Sequence, residues 1–112
     1  MQPRAKKLLW DVAEASSDIA RLLSALTFED YLAQKDTRRL IERYLEIIGE
    51  ALRQLGQVDP NAALLLPALR RWVNLRNVIS HAYDSLDDET IWAICQSTVP
   101  QLHDDVRQLL DQ

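Results

Sequence analysis

The sequence predicts an all-α fold: an up-and-down helical bundle of four main helices plus a short extra helix. Three observations lead there. Two glycines and four prolines in 112 residues are too few for a chain of many strands joined by tight turns. Apolar residues recur at three- and four-residue spacing through most of the chain. Turn and cap signals fall between those stretches, at "LTFED", "QVDPN" and "DSLDDET". At 47% hydrophobic and 27% charged, residues 1–112 read as one ordinary domain with one core. Two copies would bury more of its apolar surface than one.

The first helix is expected over about residues 4 to 24, with Leu8, Val12, Ala15, Ile19, Leu22 and Leu26 at helical spacing. Thr27 then reads as an N-cap, with Asp30 placed three residues on to complete a capping box. A short helix through "YLAQ" follows. "KDTRRLIERYLEIIGEALRQLG" predicts the next long helix, capped by Asp36 or Thr37, with Leu40, Tyr44, Ile47, Ile48, Ala51 and Leu55 as its apolar stripe and Gly56 as its C-terminal cap. Gly49 inside that helix costs about 1 kcal/mol against alanine, which points to a close helix approach.

Asp59-Pro60 favours a turn or a helix start, and Pro67 ends or begins a helix. A fourth helix is expected over about 68 to 83. A last helix, from about 88 to 110, is kinked at Pro100 because proline removes a backbone donor and crowds the preceding turn. No apolar run reaches membrane-spanning length, and the acids Asp11, Glu14 and Asp18 interrupt the start where a signal peptide would be apolar. The lone Cys95 reads as a buried core residue in a reducing cytoplasm.

Thirteen basic against 17 acidic residues give a net charge of −4, without the basic excess of a sequence-independent nucleic-acid binder. The distribution is uneven, however. Between Asp59 and Asp84 there is no acid, while Arg70, Arg71, Arg76 and His81 fall inside. On a helical wheel, Ala68, Trp72, Leu75, Ile79 and Ala82 form the core stripe, with Val78 at its edge. Arg70, Asn74, Asn77 and His81 form one polar row; Arg76, Ser80 and Tyr83 form the neighbouring one.

Those rows suit phosphate chemistry. A guanidinium offers a rigid fork of donors matched to phosphate oxygens, and an imidazole takes or gives a proton near neutrality. Arg76 and His81 stand five residues apart, about 7.5 Å along a helix axis, so both can reach one phosphodiester. The residue types alone favour a solvated or capping arginine and histidine, and a Tyr83 packed at a helix end. With no carboxylate cluster and no Cys/His set, no metal site and no cofactor are expected.

"RNVISHAY", residues 76–83, fits the pattern arginine, four residues, histidine, any residue, tyrosine, and here the chain resembles the HepT-like toxins of the HEPN helical ribonucleases. "LTFEDYLAQKDTRRLIERYLEIIGEALRQL" is similar to that family's second and third helices, and "ETIWAICQSTVPQL" to its last. The resemblance implies a metal-independent endoribonuclease toxin acting as a homodimer, with two Arg/His sets lining one cleft. It gives Arg76 the scissile phosphate and His81 the acid–base work on the ribose 2′-OH, leaving a 2′,3′-cyclic phosphate. Asn77 would orient the histidine or the phosphate, with Ser80 in support; Arg70 and Asn74 are added here as RNA contacts.

The resemblance further implies a cognate antitoxin of the minimal nucleotidyltransferase (MNT) type, which silences the toxin by AMPylation of Tyr83. Added AMP would repel substrate phosphate by like charge. The acids of "HAYDSLDDE" depart from the family's pattern. They favour an alternative: a non-catalytic nucleotide- or substrate-binding subunit partnering such a nucleotidyltransferase. Elsewhere, His103 is expected to be a solvated surface residue. Glu42, Glu46 and Glu50, interleaved with Arg38, Arg39 and Arg43, are expected on a salt-laced solvent face or a partner-docking surface. Trp10, Trp72 and Trp92 are expected in the core or a dimer interface.

Overall fold

The computed structural model describes residues 1–112 apart from the side chain of Tyr83. Its helices run α1 Pro3–Leu23, α2 Phe28–Ala33, α3 Lys35–Val58, α4 Pro60–Ala63, α5 Leu69–His81, α6 Asp88–Ala93 and α7 Val99–Leu110. A 3-10 turn, Tyr83–Ser85, follows α5, and a π-helical segment, Ile94–Thr98, joins α6 to α7. The all-α, up-and-down bundle is therefore present. Its four long members are α1, α3, α5 and the composite α6–α7.

The central helix is α3, which packs between α1 and α5, while α7 packs on α1. Leu8, Val12, Ala15 and Ile19 of α1 meet Ile41, Leu45, Ile48, Leu52 and Leu55 of α3 in the core. The stripe of α3 thus lies one residue round from its expected position. Leu40, expected inside, is 41% exposed, and Tyr44 and Ile47 pack only at the margin. Helix α5 holds to the bundle chiefly through Trp72 and Ile79, both buried. Each buried side chain of that size contributes on the order of 1.5–3 kcal/mol. Val78 is exposed, and Leu75 lies at the edge of the core.

The Thr27 capping box forms as expected: its hydroxyl accepts from Asp30 N–H, and the Asp30 carboxylate accepts from Thr27 N–H. The start of α3 differs. It begins at Lys35 after Gln34, and Thr37 donates its hydroxyl to Gln34 Oε1 instead of capping. Its end runs past Gly56 to Val58, because Asp59 then caps α4 by accepting from Ala62 N–H at 3.1 Å. Arg38 donates to the carbonyls of Tyr31 and Leu32 at the end of α2, and reaches Asp88 at 3.8 Å.

Pro100 does not kink a continuous helix. The preceding turn widens to a π turn, in which Val99 N–H reaches Ile94 C=O, and proline sits in the first turn of α7, where a missing donor is tolerated. Cys95 is buried in that π segment, and burial pushes its thiol up to about 12. Trp92 packs with Phe28 and Tyr31 in an aromatic cluster. Trp10, expected in the core or a dimer interface, lies outside the core: it is half exposed, with Arg107 over its ring at 5.8 Å.

Candidate active site

Gly49 decides how α5 lies on α3. A Cβ there would come 2.3 Å from Arg76 Cβ and 2.9 Å from the Trp72 carbonyl. No other residue type allows this approach without a shift of backbone, so the expected close contact at Gly49 is present, and Arg76 is its partner. One turn further along, Ser80 Oγ donates to Glu46 Oε2 at 2.7 Å. The antiparallel pairs Gly49–Arg76 and Glu46–Ser80 fix the register of α5 against α3.

The Arg76–Ser80 row therefore lies at the seam with α3, while Arg70, Asn74, Asn77 and His81 are exposed on the outer row. Arg76 Nη1 donates to Asn77 Oδ1 at 3.1 Å, which links the two rows. The structure thus brings Asn77 to Arg76. Among the described residues it gives His81, Arg70 and Asn74 no hydrogen-bond partner. His81 is the last residue of α5, and Ala82 closes the helix by donating its N–H to Val78 C=O at 2.8 Å. Tyr83 therefore belongs to the following 3-10 turn and not to the helix. The place expected for its side chain lies outside the described residues.

Below Arg76 opens a groove of about 360 Å³, floored by α3 and walled by Arg4, Leu8 and Asp11 of α1. Arg43, Glu46 and Glu50 of α3 line it together with Arg76. A hydrogen bond from Arg53 holds the Glu50 carboxyl below its ordinary range, with the charges of Arg53 and Arg76 acting the same way. Glu42, expected on a solvent face, is instead buried. Burial pushes its carboxyl up, against Arg39, whose Nη1 donates to both carboxylate oxygens at 3.0–3.1 Å.

Glu46, expected with Glu42 on a solvent or docking face, instead accepts from Ser80 at the α3–α5 seam. It sits one turn before Gly49, and that spacing was the available signal. His103, expected to be solvated, instead meets Ser17 Oγ through Nε2 at 3.2 Å, tying α7 to α1. Among the described residues no group of three or more His, Cys, Asp or Glu gathers to hold a metal ion. No described helix is long and apolar enough to cross a membrane.

The site is thus a small helical bundle in which α5 holds Arg76 at the seam with α3 and leaves His81, five residues on, exposed. The sequence profile of the ribonuclease HepT-like family matches residues 12–109, and the chain belongs to that family. It is 32% identical over 102 residues to a Thermococcus cleftensis protein provisionally named ribonuclease HepT, covering 91% of this chain and 92% of that one. Two Methanocaldococcus jannaschii proteins provisionally named RNases are each 29% identical. One match covers 94% of this chain and 86% of the relative; the other covers 90% and 92%. No solved structure matches the chain.

Proposed function

We propose that this chain is a metal-independent endoribonuclease, the toxin of a toxin–antitoxin pair. The observation that carries the reading is the shape of α5. It holds Arg76 in a fixed seat over Gly49 and leaves His81 exposed, in a chain of a ribonuclease family. The RNA ribose 2′-OH attacks the adjacent phosphorus as a base takes its proton. The bond to the 5′-oxygen breaks as an acid supplies one, and a 2′,3′-cyclic phosphate and a 5′-OH remain. Arg76 holds the phosphate and offsets the charge that builds on its oxygens. His81 moves the proton. Asn77 holds the guanidinium through its Oδ1, and Ser80 keeps the helix in register.

One chain has one histidine here, whereas this cleavage uses both a base and an acid. A homodimer that sets two α5 helices face to face supplies the second. The exposed Val78, between Asn74 and His81 on the free side of α5, suits such a contact. Arg70 and Asn74 extend the same face toward RNA.

Silencing follows from Tyr83, two residues beyond His81. A cognate MNT-type nucleotidyltransferase would transfer AMP from ATP: the phenol oxygen bonds to the α-phosphorus and pyrophosphate leaves. The added phosphate repels the substrate's. Both partners would work in the cytoplasm. A second reading, a non-catalytic nucleotide- or substrate-binding subunit of that enzyme, draws on His81, which no described residue orients.

Cleavage of labelled RNA in EDTA by the purified chain, beside His81→Ala and Arg76→Ala, decides between them. Cutting that leaves a cyclic phosphate and is lost in both variants supports the ribonuclease. Binding of RNA or ATP without cutting supports the subunit.

A further inference from the structure

The groove beneath Arg76 contains a second guanidinium with no assigned task. Arg43 projects from α3 into the groove that Arg76 enters from α5 and Arg4 from α1. Taken by its lining alone, the groove is neutral, with three arginines against Asp11, Glu46 and Glu50. The hydrogen bonds say otherwise. Asp11 is held by Lys7, Glu50 by Arg53, and Glu46 accepts from Ser80. With the bases that hold them included, five cationic side chains meet three carboxylates. Arg4 donates only to the neutral Gln54, and Arg76 only to Asn77. Arg43 is exposed and makes no hydrogen bond or ion pair with a described residue.

An unpaired guanidinium in a groove whose acids are already engaged favours an anion with oxygens to spare. The groove is also continuous with Arg76. We propose that Arg43, with Arg4 beside it, binds a phosphate of the RNA strand next to the one held by Arg76, so that the strand leaves the α5 face along the groove between α1 and α3. This rests on the ribonuclease reading above. Arg43 is then a substrate-binding residue that sets how long an RNA is bound well, and takes no part in the bond-making step.

The test compares the full chain with Arg43→Ala on a labelled single-stranded oligoribonucleotide and on a dinucleotide, whose single phosphate leaves none for Arg43 to hold. For the oligonucleotide, KM rises about tenfold with kcat retained, a loss of about 1.4 kcal/mol of binding. The dinucleotide is cut equally by both proteins. The dependence of oligonucleotide binding on salt, read by fluorescence anisotropy, falls by about one phosphate contact. Unchanged KM and salt slope would overturn the proposal, as would an equal loss on both substrates.

Anisotropy also separates this idea from the one beneath it. If the unmodified chain binds RNA and cuts nothing, the ribonuclease reading fails while the Arg43 salt slope still reports on the groove. If it binds no RNA, both fail. A thermal melt of Arg43→Ala matching that of the unmodified chain confirms that folding is intact, as expected for an exposed side chain with no described partner.

Discussion

Gly49 of α3 and Arg76 of α5 lie so close that a methyl group on the glycine would stand 2.3 Å from the arginine Cβ. The same methyl would crowd the Trp72 carbonyl at 2.9 Å. Neither obstacle is the free end of a flexible side chain, so α5 must move. Gly49→Ala gains about 1 kcal/mol of helix propensity and incurs an overpacking strain typically of about 1–3 kcal/mol. Net destabilisation by urea denaturation is expected, together with a loss of RNA cleavage larger than the fraction unfolded explains. A variant as stable and active as the unmodified chain would show that this contact does not seat the arginine.

Ser80 and Glu46 form the other register contact, at 2.7 Å. Ser80→Ala and Glu46→Ala should each destabilise by roughly 1 kcal/mol, and the double variant by less than the sum, because they share one hydrogen bond. Full additivity in a double-mutant cycle would mean that the contact contributes nothing to holding α5.

Arg76→Lys keeps a cation but loses the planar fork. Cleavage by this variant should fall nearly as far as in Arg76→Ala, and His81→Ala should lose on the order of 10²–10⁴ in kcat. Single-turnover assays would report both. A lysine variant with near-full activity would reduce the role of Arg76 to simple charge.

Tyr31 is fully buried, and its hydroxyl has no hydrogen-bond partner among the described residues. Burial pushes its ionisation upward, so it stays a neutral phenol. Removing an unsatisfied buried polar atom restores its desolvation cost, which is about 1–3 kcal/mol. Tyr31→Phe is therefore expected to be at least as stable as the unmodified chain in thermal melts. A clear loss would reveal a partner for the hydroxyl.

Glu42 gives stability a pH dependence. Its folded-state carboxyl sits above the ordinary glutamate range because burial outweighs the pull of Arg39. The folded state then holds the proton more tightly than the unfolded state. That contribution is complete below the usual glutamate range and is lost as pH rises through the raised value. Denaturation at a series of pH values should show it, and Glu42→Gln should flatten that portion of the profile. An identical profile for the variant would place the pH dependence elsewhere.

Much of this was legible in the residues. The four long helices, the Thr27 box, the buried Cys95 and the close approach at Gly49 all follow from local chemistry that depends on few distant partners. The errors share a cause. Wheels assign faces relative to an axis, and tertiary packing decides which face turns inward. The buried stripe of α3 is rotated so that Leu40 is exposed and Glu42 is buried, because α1 and α5 grip opposite sides of that helix. The fourth helix is expected to run to about residue 83, two residues past its end at His81. Its neighbour Ala82 carries no signal strong enough to mark the stop, and the sequence around it is otherwise helical. Charge counting hid the groove: Lys7 and Arg53 hold two of its acids along their own helices, and only the folded chain brings Ser80 to Glu46 and sets Arg4, Arg43 and Arg76 side by side.

The π turn at Ile94–Thr98 makes the last helix a two-part ruler. Ile91, Cys95 and Val99 face the core at successive intervals of four residues, after which Leu102, Val106 and Leu109 resume the ordinary three-and-four rhythm. The π turn fits one residue more into the segment than an α turn would, so the loss of one residue there would restore a plain α-helix with Leu102, Val106 and Leu109 still turned inward. One residue more, with the π turn already filled, would instead rotate everything beyond it by about 100°. The bundle thus has slack for a shorter segment here and none for a longer one.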